Sequence, residues 1–411
     1  MSGPAANTDP VVTGIGVAAP TGIGAEAHWQ AVLAGKSGIG RITRFDSTSY
    51  PVRLAGQVPG FVAAERIPNR LVPQTDHWTH LGLAATEEAL ADAVIDPALL
   101  PEYEMAVLTA SSSGGAEFGQ REMEKLYTSG PSWVGAYQAI AWFYAASAGQ
   151  VSIRYGIKGP CGVLCCEQAG GLDVLGQGRR LIRSGTRVVV AGGTDASMSP
   201  YGFTTQLSNG LMSKVDNPVR AYLPFDVDAS GYLPGEGGAM LIVEDAGSAA
   251  GRDIGPGYGT IAGYAAGFDP PPASPRPSSL GATLRRALDD AKVDASEVDV
   301  VFADGAGVAE GDAAEAAAIT ETFGPRGVPV SVPKMLTGRL YGGGASLDVA
   351  TALLALRDNV IPHTGSPIRQ APEFEIALVQ HQPREVPLRT AVVLARGFGG
   401  FNAAIVLRAA S

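Results

Sequence analysis

Most of the chemistry open to this 411-residue chain sits in one run: Gly159-Pro160-Cys161-Gly162-Val163-Leu164-Cys165-Cys166-Glu167-Gln168-Ala169-Gly170-Gly171-Leu172-Asp173. It reads as a strand, a sharp turn and the start of a small-residue helix. A thiol at the apex of such a turn would act as a nucleophile through its thiolate. The apex residue here is Gln168, an amide. Its nitrogen lone pair is delocalised and no neighbouring base makes it an anion near neutral pH, so it forms no covalent intermediate. Cys165 and Cys166 lie on the incoming strand, which is expected to point them away from the apex and into the core. Three cysteines, two of them adjacent, make no disulfide framework, and His28, His77, His80, His363 and His381 share no metal spacing with them. No metal and no cofactor are expected.

The elements that position this turn follow from the hydropathy pattern. With 45% hydrophobic residues and a mean hydropathy of +0.12, the chain can bury a large core. Strand-like runs at 11–17, 105–109, 187–191, 239–243, 260–264, 298–303, 390–395 and 403–407 alternate with Ala/Leu-rich helical stretches, predicting helices layered on sheets. The helix-turn-strand segment from Ala89-Leu90-Ala91-Asp92-Ala93 to Met105-Ala106-Val107 resembles that from Ala287-Leu288-Asp289-Asp290-Ala291 to Asp299-Val300-Val301, which predicts a duplicated unit. The halves are expected to be residues 1–250 and 251–411, divided in the Gly/Ala/Ser stretch 247–255. The proline-rich 269–277 stretch reads as a linker or as a cover over a cleft. Arg179, Arg180 and Arg183 are expected on a solvated or salt-bridged helix face.

Charge and length exclude some partners. A net charge of −10 without a dense Lys/Arg block argues against nucleic acid. No apolar run reaches membrane-spanning length, and residues 1–10 lack the basic start and apolar centre of a signal peptide, so a soluble cytoplasmic protein is expected.

Several ordered motifs resemble the β-ketoacyl synthase family. They are Val12-Thr13-Gly14-Ile15-Gly16 with its following turn, Gly35-Lys36-Ser37-Gly38-Ile39, the Gln168 turn, Pro224-Phe225-Asp226, Gly235-Glu236-Gly237-Gly238 and Gly397-Phe398-Gly399-Gly400-Phe401-Asn402. The resemblance implies a thiolase-like α/β fold of two similar halves stacked as five layers, α-β-α-β-α. It also identifies degenerate catalytic positions. Active members carry histidines in Ala-His-Gly-x-Gly and Lys-x-x-x-Gly-His segments; here these read Ala303-Asp304-Gly305-Ala306-Gly307 and Lys334-Met335-Leu336-Thr337-Gly338-Arg339. Those histidines donate hydrogen bonds to a malonyl thioester carbonyl, and losing one such donor costs ~10²–10³ in rate. An ionised Asp304 would oppose the developing charge, and Arg339 is a poor proton shuttle. With Gln168, Asp304 and Arg339 all changed, no catalytic residue for condensation is expected. Glu315 and Lys334 match residues behind those histidines and are expected to form a supporting salt bridge; Phe398 is expected as a structural neighbour of the former active site.

Glu167-Gln168-Ala169-Gly170-Gly171-Leu172-Asp173, Glu117-Phe118-Gly119-Gln120-Arg121-Glu122 and the 136–150 segment resemble the chain length factors of type II polyketide synthases. That resemblance implies a heterodimer with a catalytic ketosynthase alpha subunit. It implies malonyl-based elongation on an acyl carrier protein, with the growing chain entering a tunnel at the interface. It places Ala116, Gly119 and Met123 as gating residues; spacings of three, four and seven put them on one helical face. Two small residues and a soft stop predict a long tunnel and a product at the longer end of the family's range. The aromatics Trp133, Tyr137, Trp142, Phe143 and Tyr144 suit either an interface or the core. Two rival readings stay open: a priming malonyl-ACP decarboxylase, against which both lost histidines count, and a purely structural pseudoenzyme.

Overall fold

A computed structural model describes residues 10–252, 255–271, 274–365 and 368–410. Residues 1–9 of the leader reading, 253–254 of the boundary stretch and 272–273 of the proline-rich stretch lie outside these. Along the path of the main sheet, the strands of the first half are β1 (Val11–Ala19), β2 (Met105–Ala110), β3 (Cys161–Leu164), β4 (Val188–Asp195) and β5 (Gly237–Glu244). In the second they are β6 (Gly259–Phe268), β7 (Val300–Phe302), β8 (Pro329–Ser331), β9 (Ala377–Leu378), β10 (Thr390–Gly397) and β11 (Phe401–Ala409). The helices that matter below are α1 (His77–Asp92), α2 (Ala116–Ser129), α3 (Gly170–Arg183), α4 (Leu280–Ala291), α5 (Ala309–Phe323) and α6 (Gly344–Asp358). Every apolar run expected as a strand forms one, most of them longer by a few residues.

Strand pairing repeats itself. The path runs β9-β8-β7-β10-β11-β6-β1-β5-β4-β2-β3. From β1 outward through β5, β4, β2 and β3 the pairs are antiparallel, antiparallel, parallel, parallel. From β6 outward through β11, β10, β7 and β8 the same four orientations recur. The two sheets touch where Val11 and Val12 pair with Thr260 and Gly259.

The sequence repeat has a packing cause. A Cβ on Gly14 of β1 would lie 2.2 Å from the Ala89 carbonyl oxygen and 2.8 Å from Ala93 Cβ, both at the end of α1. A Cβ on Gly263 of β6 would lie 2.3 Å from the Ala287 oxygen and 2.7 Å from Ala291 Cβ at the end of α4. Each half therefore seats its outer helix on a strand glycine, and the small Ala-x-x-x-Ala face is the matching surface. Between the sheets lie α3 and α6, each packed against strands of both halves. From Gly344 to Leu356 α6 is buried on every side, as an interior layer must be. Arg179 of α3 ties the halves, reaching Asp290 of α4 at 2.5 Å and the Ala262 carbonyl of β6. The result is the expected five-layer α-β-α-β-α stack.

Candidate functional site

The turn at the head of α3 is sharp because Glu167 takes a left-handed conformation, φ 51°, between β3 and the helix. That conformation is costly for a residue with a Cβ and persists where the surroundings enforce it. Here the Glu167 carboxylate accepts the Phe398 amide at 3.0 Å, linking the turn to the glycine loop after β10. Gln168 follows, fully buried. Its amide rests against Gly344 at the start of α6, where a Cβ would come within 2.3 Å of its nitrogen. Neither end of that amide finds a hydrogen-bond partner among the described residues. The cysteines differ from expectation. Cys165 is exposed and Cys166 half-buried, just past the end of β3, which is the last strand of the sheet path beside β2. Burial pushes the Cys166 thiol up to about 12, helped by Asp173, so it is no thiolate near neutral pH.

The two histidine positions meet. Arg339 Nη1 donates to Asp304 Oδ2 at 2.7 Å and Nη2 to Oδ1 at 3.3 Å, while Nη2 also reaches the Arg396 carbonyl at 2.7 Å. Asp304 further accepts the Arg396 amide at 3.1 Å, and Lys334 Nζ lies 3.6 Å away. Burial alone would raise the Asp304 carboxyl, but Arg339 and Lys334 outweigh it and hold it below the usual range. Burial would likewise lower Arg339, yet Asp304 and Glu167 raise it well above its ordinary value. An isolated negative charge at 304, as the sequence reading envisaged, is thus replaced by a closed ion pair.

Glu315 and Lys334 do not form the expected salt bridge. Glu315 accepts the backbone amides of Asp304 and Gly305 at 2.7 and 2.8 Å, so it holds the loop that carries Asp304. Lys334 pairs instead with Asp348 of α6 at 2.7 Å. The swap has a physical reason: with acid at 304, a second nearby carboxylate is better met by backbone donors, leaving the lysine for the acids it faces. Asp348 and Arg396 were missed by the sequence reading. Opposite charges at 304 and 339 were the available signal for the pair, whereas Asp348 is hidden in an apolar helix. Phe398, 61% exposed, stands at the mouth of a cleft of about 520 Å³ that Glu167, Tyr232, Asp304 and Arg339 line. Asp269 and Pro270, the start of the proline-rich stretch, border the same cleft.

A second cavity, of about 340 Å³, opens beside α2, and Ala116, Gly119 and Met123 all line it. Across from them stand Trp142, Tyr144, Gln138, Tyr201, Thr205 and Gln206. A Cβ on Gly119 would meet Trp142 Cβ at 3.7 Å and Gln138 Nε2 at 3.8 Å, so a methyl fits there in ordinary contact and a larger side chain must take up cavity space or displace those neighbours. The aromatic segment lies on the surface: Trp133, Trp142 and Phe143 are 64, 48 and 52% exposed. An apolar patch of this kind marks an interaction face.

Two duplicated halves around a shared helix layer, with a turn at the head of α3 aimed at two polar loops, define the scaffold of a condensing enzyme. Residues 8–249 match Beta-ketoacyl synthase, N-terminal domain, and residues 258–366 match Beta-ketoacyl synthase, C-terminal domain. The chain belongs to the beta-ketoacyl synthase family. It is 53% identical to the tetracenomycin polyketide synthase ketoacyl synthase beta subunit of Streptomyces glaucescens over 97% of this chain and 98% of that one. It is 52% identical to the actinorhodin polyketide putative beta-ketoacyl synthase 2 of Streptomyces coelicolor, with the same shares covered. Among solved structures, the ishigamide ketosynthase/chain length factor superposes with a TM-score of 0.91 at 25% identity, covering 99% of this chain and 100% of that chain. A type II PKS ketosynthase bound to the hexaketide, in complex with its acyl-carrier protein, superposes at 0.87 and 25% identity, covering 98% and 99%.

Proposed function

We propose that this chain is the non-catalytic subunit of a type II polyketide synthase. It pairs with a catalytic ketosynthase, which acts on an acyl carrier protein, and sets the length of the polyketide. The observation that carries the reading is the pairing of Asp304 with Arg339 behind an apex that is an amide: one histidine position holds an acceptor-only carboxylate and the other a permanently charged guanidinium drawn into an ion pair, and neither is the imidazole donor that a malonyl thioester would meet. Similarity to ketoacyl synthase beta subunits and to a ketosynthase/chain length factor structure supports it. The exposed aromatics and the open edge of β3 supply the face for the partner; an obligate pair buries upwards of about 2,000 Å². The halves are taken to divide at residues 250 and 251. No helix among the described residues is long and apolar enough to cross a membrane, and we assign the work to the cytoplasm, alongside the carrier protein.

Counting follows from packing. The chain advances by two carbons per cycle until its tip meets the wall formed by Ala116, Gly119 and Met123; one further unit then forces overpacking at roughly 1–3 kcal/mol. The test is co-expression with the catalytic partner and carrier protein, with mass analysis of products from the parent and Gly119→Phe. A shorter product supports length setting. Unchanged length at lower yield leaves a scaffold, and malonyl decarboxylation by this chain alone would establish the priming reading.

A further inference from the structure

The segment that opens the gating helix α2 is held from outside itself. Gly115, its N-cap, has no side chain to satisfy the first-turn amides. One buried carboxylate from another part of the fold takes up a first-turn amide, and a second holds the Ser111–Ser113 turn that leads into the helix. Asp76, 1% exposed at the head of α1, accepts the Phe118 amide through Oδ2 at 2.6 Å while its Oδ1 caps α1 at Trp78. Asp195, fully buried at the end of β4, accepts five hydrogen bonds. Its Oδ1 takes Ser111 Oγ at 3.2 Å, Ser113 N at 3.3 Å and Ser113 Oγ at 3.0 Å. Its Oδ2 takes Ser112 N at 2.8 Å and Gly342 N at 2.7 Å. Gly342 lies two residues before Gly344, on which the Gln168 amide rests. Asp195 is therefore a shared acceptor between the turn that starts the gate and the turn beside the degenerate apex.

We propose that Asp195 and Asp76 are positioning residues of the length gate: they fix residues 111–118, and through them the placement of Ala116 and Gly119, so that the cavity stops a chain at one length. The proposal rests on the length-setting reading above. Neither carboxylate lines the gate cavity, so neither fills space the polyketide would use. Their influence runs through the backbone they hold. A carboxylate offers acceptors on both oxygens, whereas an amide offers one. In Asp195→Asn, at least two of the donors now satisfied would face an NH₂ group, and the Ser111–Ser113 turn would relax away from it.

The experiment is the same co-expression with the catalytic partner and carrier protein, reading the full distribution of product lengths. The variants are Asp195→Asn, Asp76→Asn and Ser111→Ala, with Gly119→Phe as reference. Ser111→Ala removes one donor from Asp195 and leaves the carboxylate in place, so it remains informative where an aspartate variant fails to fold. The expected result is a spread of lengths, with the ratio of main product to its neighbours falling about tenfold for Asp195→Asn and less for Ser111→Ala. A single unchanged length at reduced yield, while Gly119→Phe still shortens the product, overturns the positioning role and leaves length setting intact. Unchanged length in Gly119→Phe as well removes both.

Discussion

Asp304 and Arg339, which occupy the two histidine positions of the family, are bound to each other through two hydrogen bonds of 2.7 and 3.3 Å in the buried interior. Each substitution alone would strand a charge. Together they are neutral, and both terminal nitrogens of Arg339 are engaged, one of them also by the Arg396 carbonyl. Losing catalytic donors and keeping a stable core are thus one structural event. The loop holding Asp304 is in turn fixed by Glu315, and Lys334 is drawn to Asp348.

The pair predicts strong coupling. Arg339→Leu leaves Asp304 with only Lys334, 3.6 Å away, as a cation, and removing one partner of a buried pair costs about 3–5 kcal/mol. Asp304→Leu leaves Arg339 facing only the Glu167 carboxyl. The double variant should cost far less than the sum, because no charge is left unpaired. Denaturant unfolding of all four proteins checks this, and additive losses would show that the two side chains act independently.

Gln168 gives a second prediction. Both ends of its amide are buried without partners among the described residues, and an unsatisfied buried polar group costs about 1–3 kcal/mol. Gln168→Met keeps the volume and removes that burden, so the variant should unfold at higher denaturant with product length unchanged. A loss of product initiation, rescued by supplying a primed carrier protein, would instead give the amide a chemical role.

Phe143→Asp addresses the partner face. Phe143 is 52% exposed and stacks edge-on with Trp142, so a charge there should change the stability of the lone chain by no more than about 0.5 kcal/mol. Buried in a subunit interface, the same charge would be unpaired and desolvated. Co-purification with the catalytic subunit should therefore be lost while the unfolding midpoint of the isolated chain stays put. Retained co-purification would move the interface elsewhere.

Much of this was legible in the sequence, for identifiable reasons. The strands were visible because β1, β4, β5, β10 and β11 are buried along most of their length and read as continuous apolar runs. The repeat was visible because Gly14 and Gly263 each demand an alanine-lined helix. Ala116, Gly119 and Met123 were singled out by the family resemblance, helical spacing put them on one face, and all three line one cavity. What stayed hidden depends on contacts between distant segments. Nothing local to Asp195 shows that it would meet the Ser111–Ser113 turn, and nothing local to Lys334 shows that its partner lies on α6 rather than α5. Cys165 and Cys166 were expected in the core because cysteine is usually buried, but just past the end of β3 Cys165 is exposed and Cys166 half-buried.

Acid titration supplies the last prediction. Burial, reinforced by Asp304, pushes Glu315 up to about 7, and burial, reinforced by Glu315, pushes Asp312 up to about 7. Asp312 accepts the Phe225 and Gly307 amides at 2.8 and 3.0 Å, which opposes the shift without cancelling it. A carboxyl whose folded value is raised holds its proton in the folded chain after the unfolded chain has released it. Its contribution to stability is therefore full below the unfolded value and is lost as pH rises through the folded one. Here that window runs from the ordinary values of 3.8 and 4.5 up to about 7, with a slope of about 1.4 kcal/mol per pH unit for each proton retained. Asp304, held low, acts in the opposite sense, losing its contribution as pH falls below 3.8. Because burial pushes His28 and His80 down to about 4, they gain stability as pH rises to 6.5, so the decline in the parent chain should be read in its unfolding midpoint between pH 6.5 and 8. Asp312→Asn should flatten that decline, because its amide does not titrate. Parallel curves for the two proteins would mean that Asp312 is already ionised across the range and that its two backbone donors outweigh its burial.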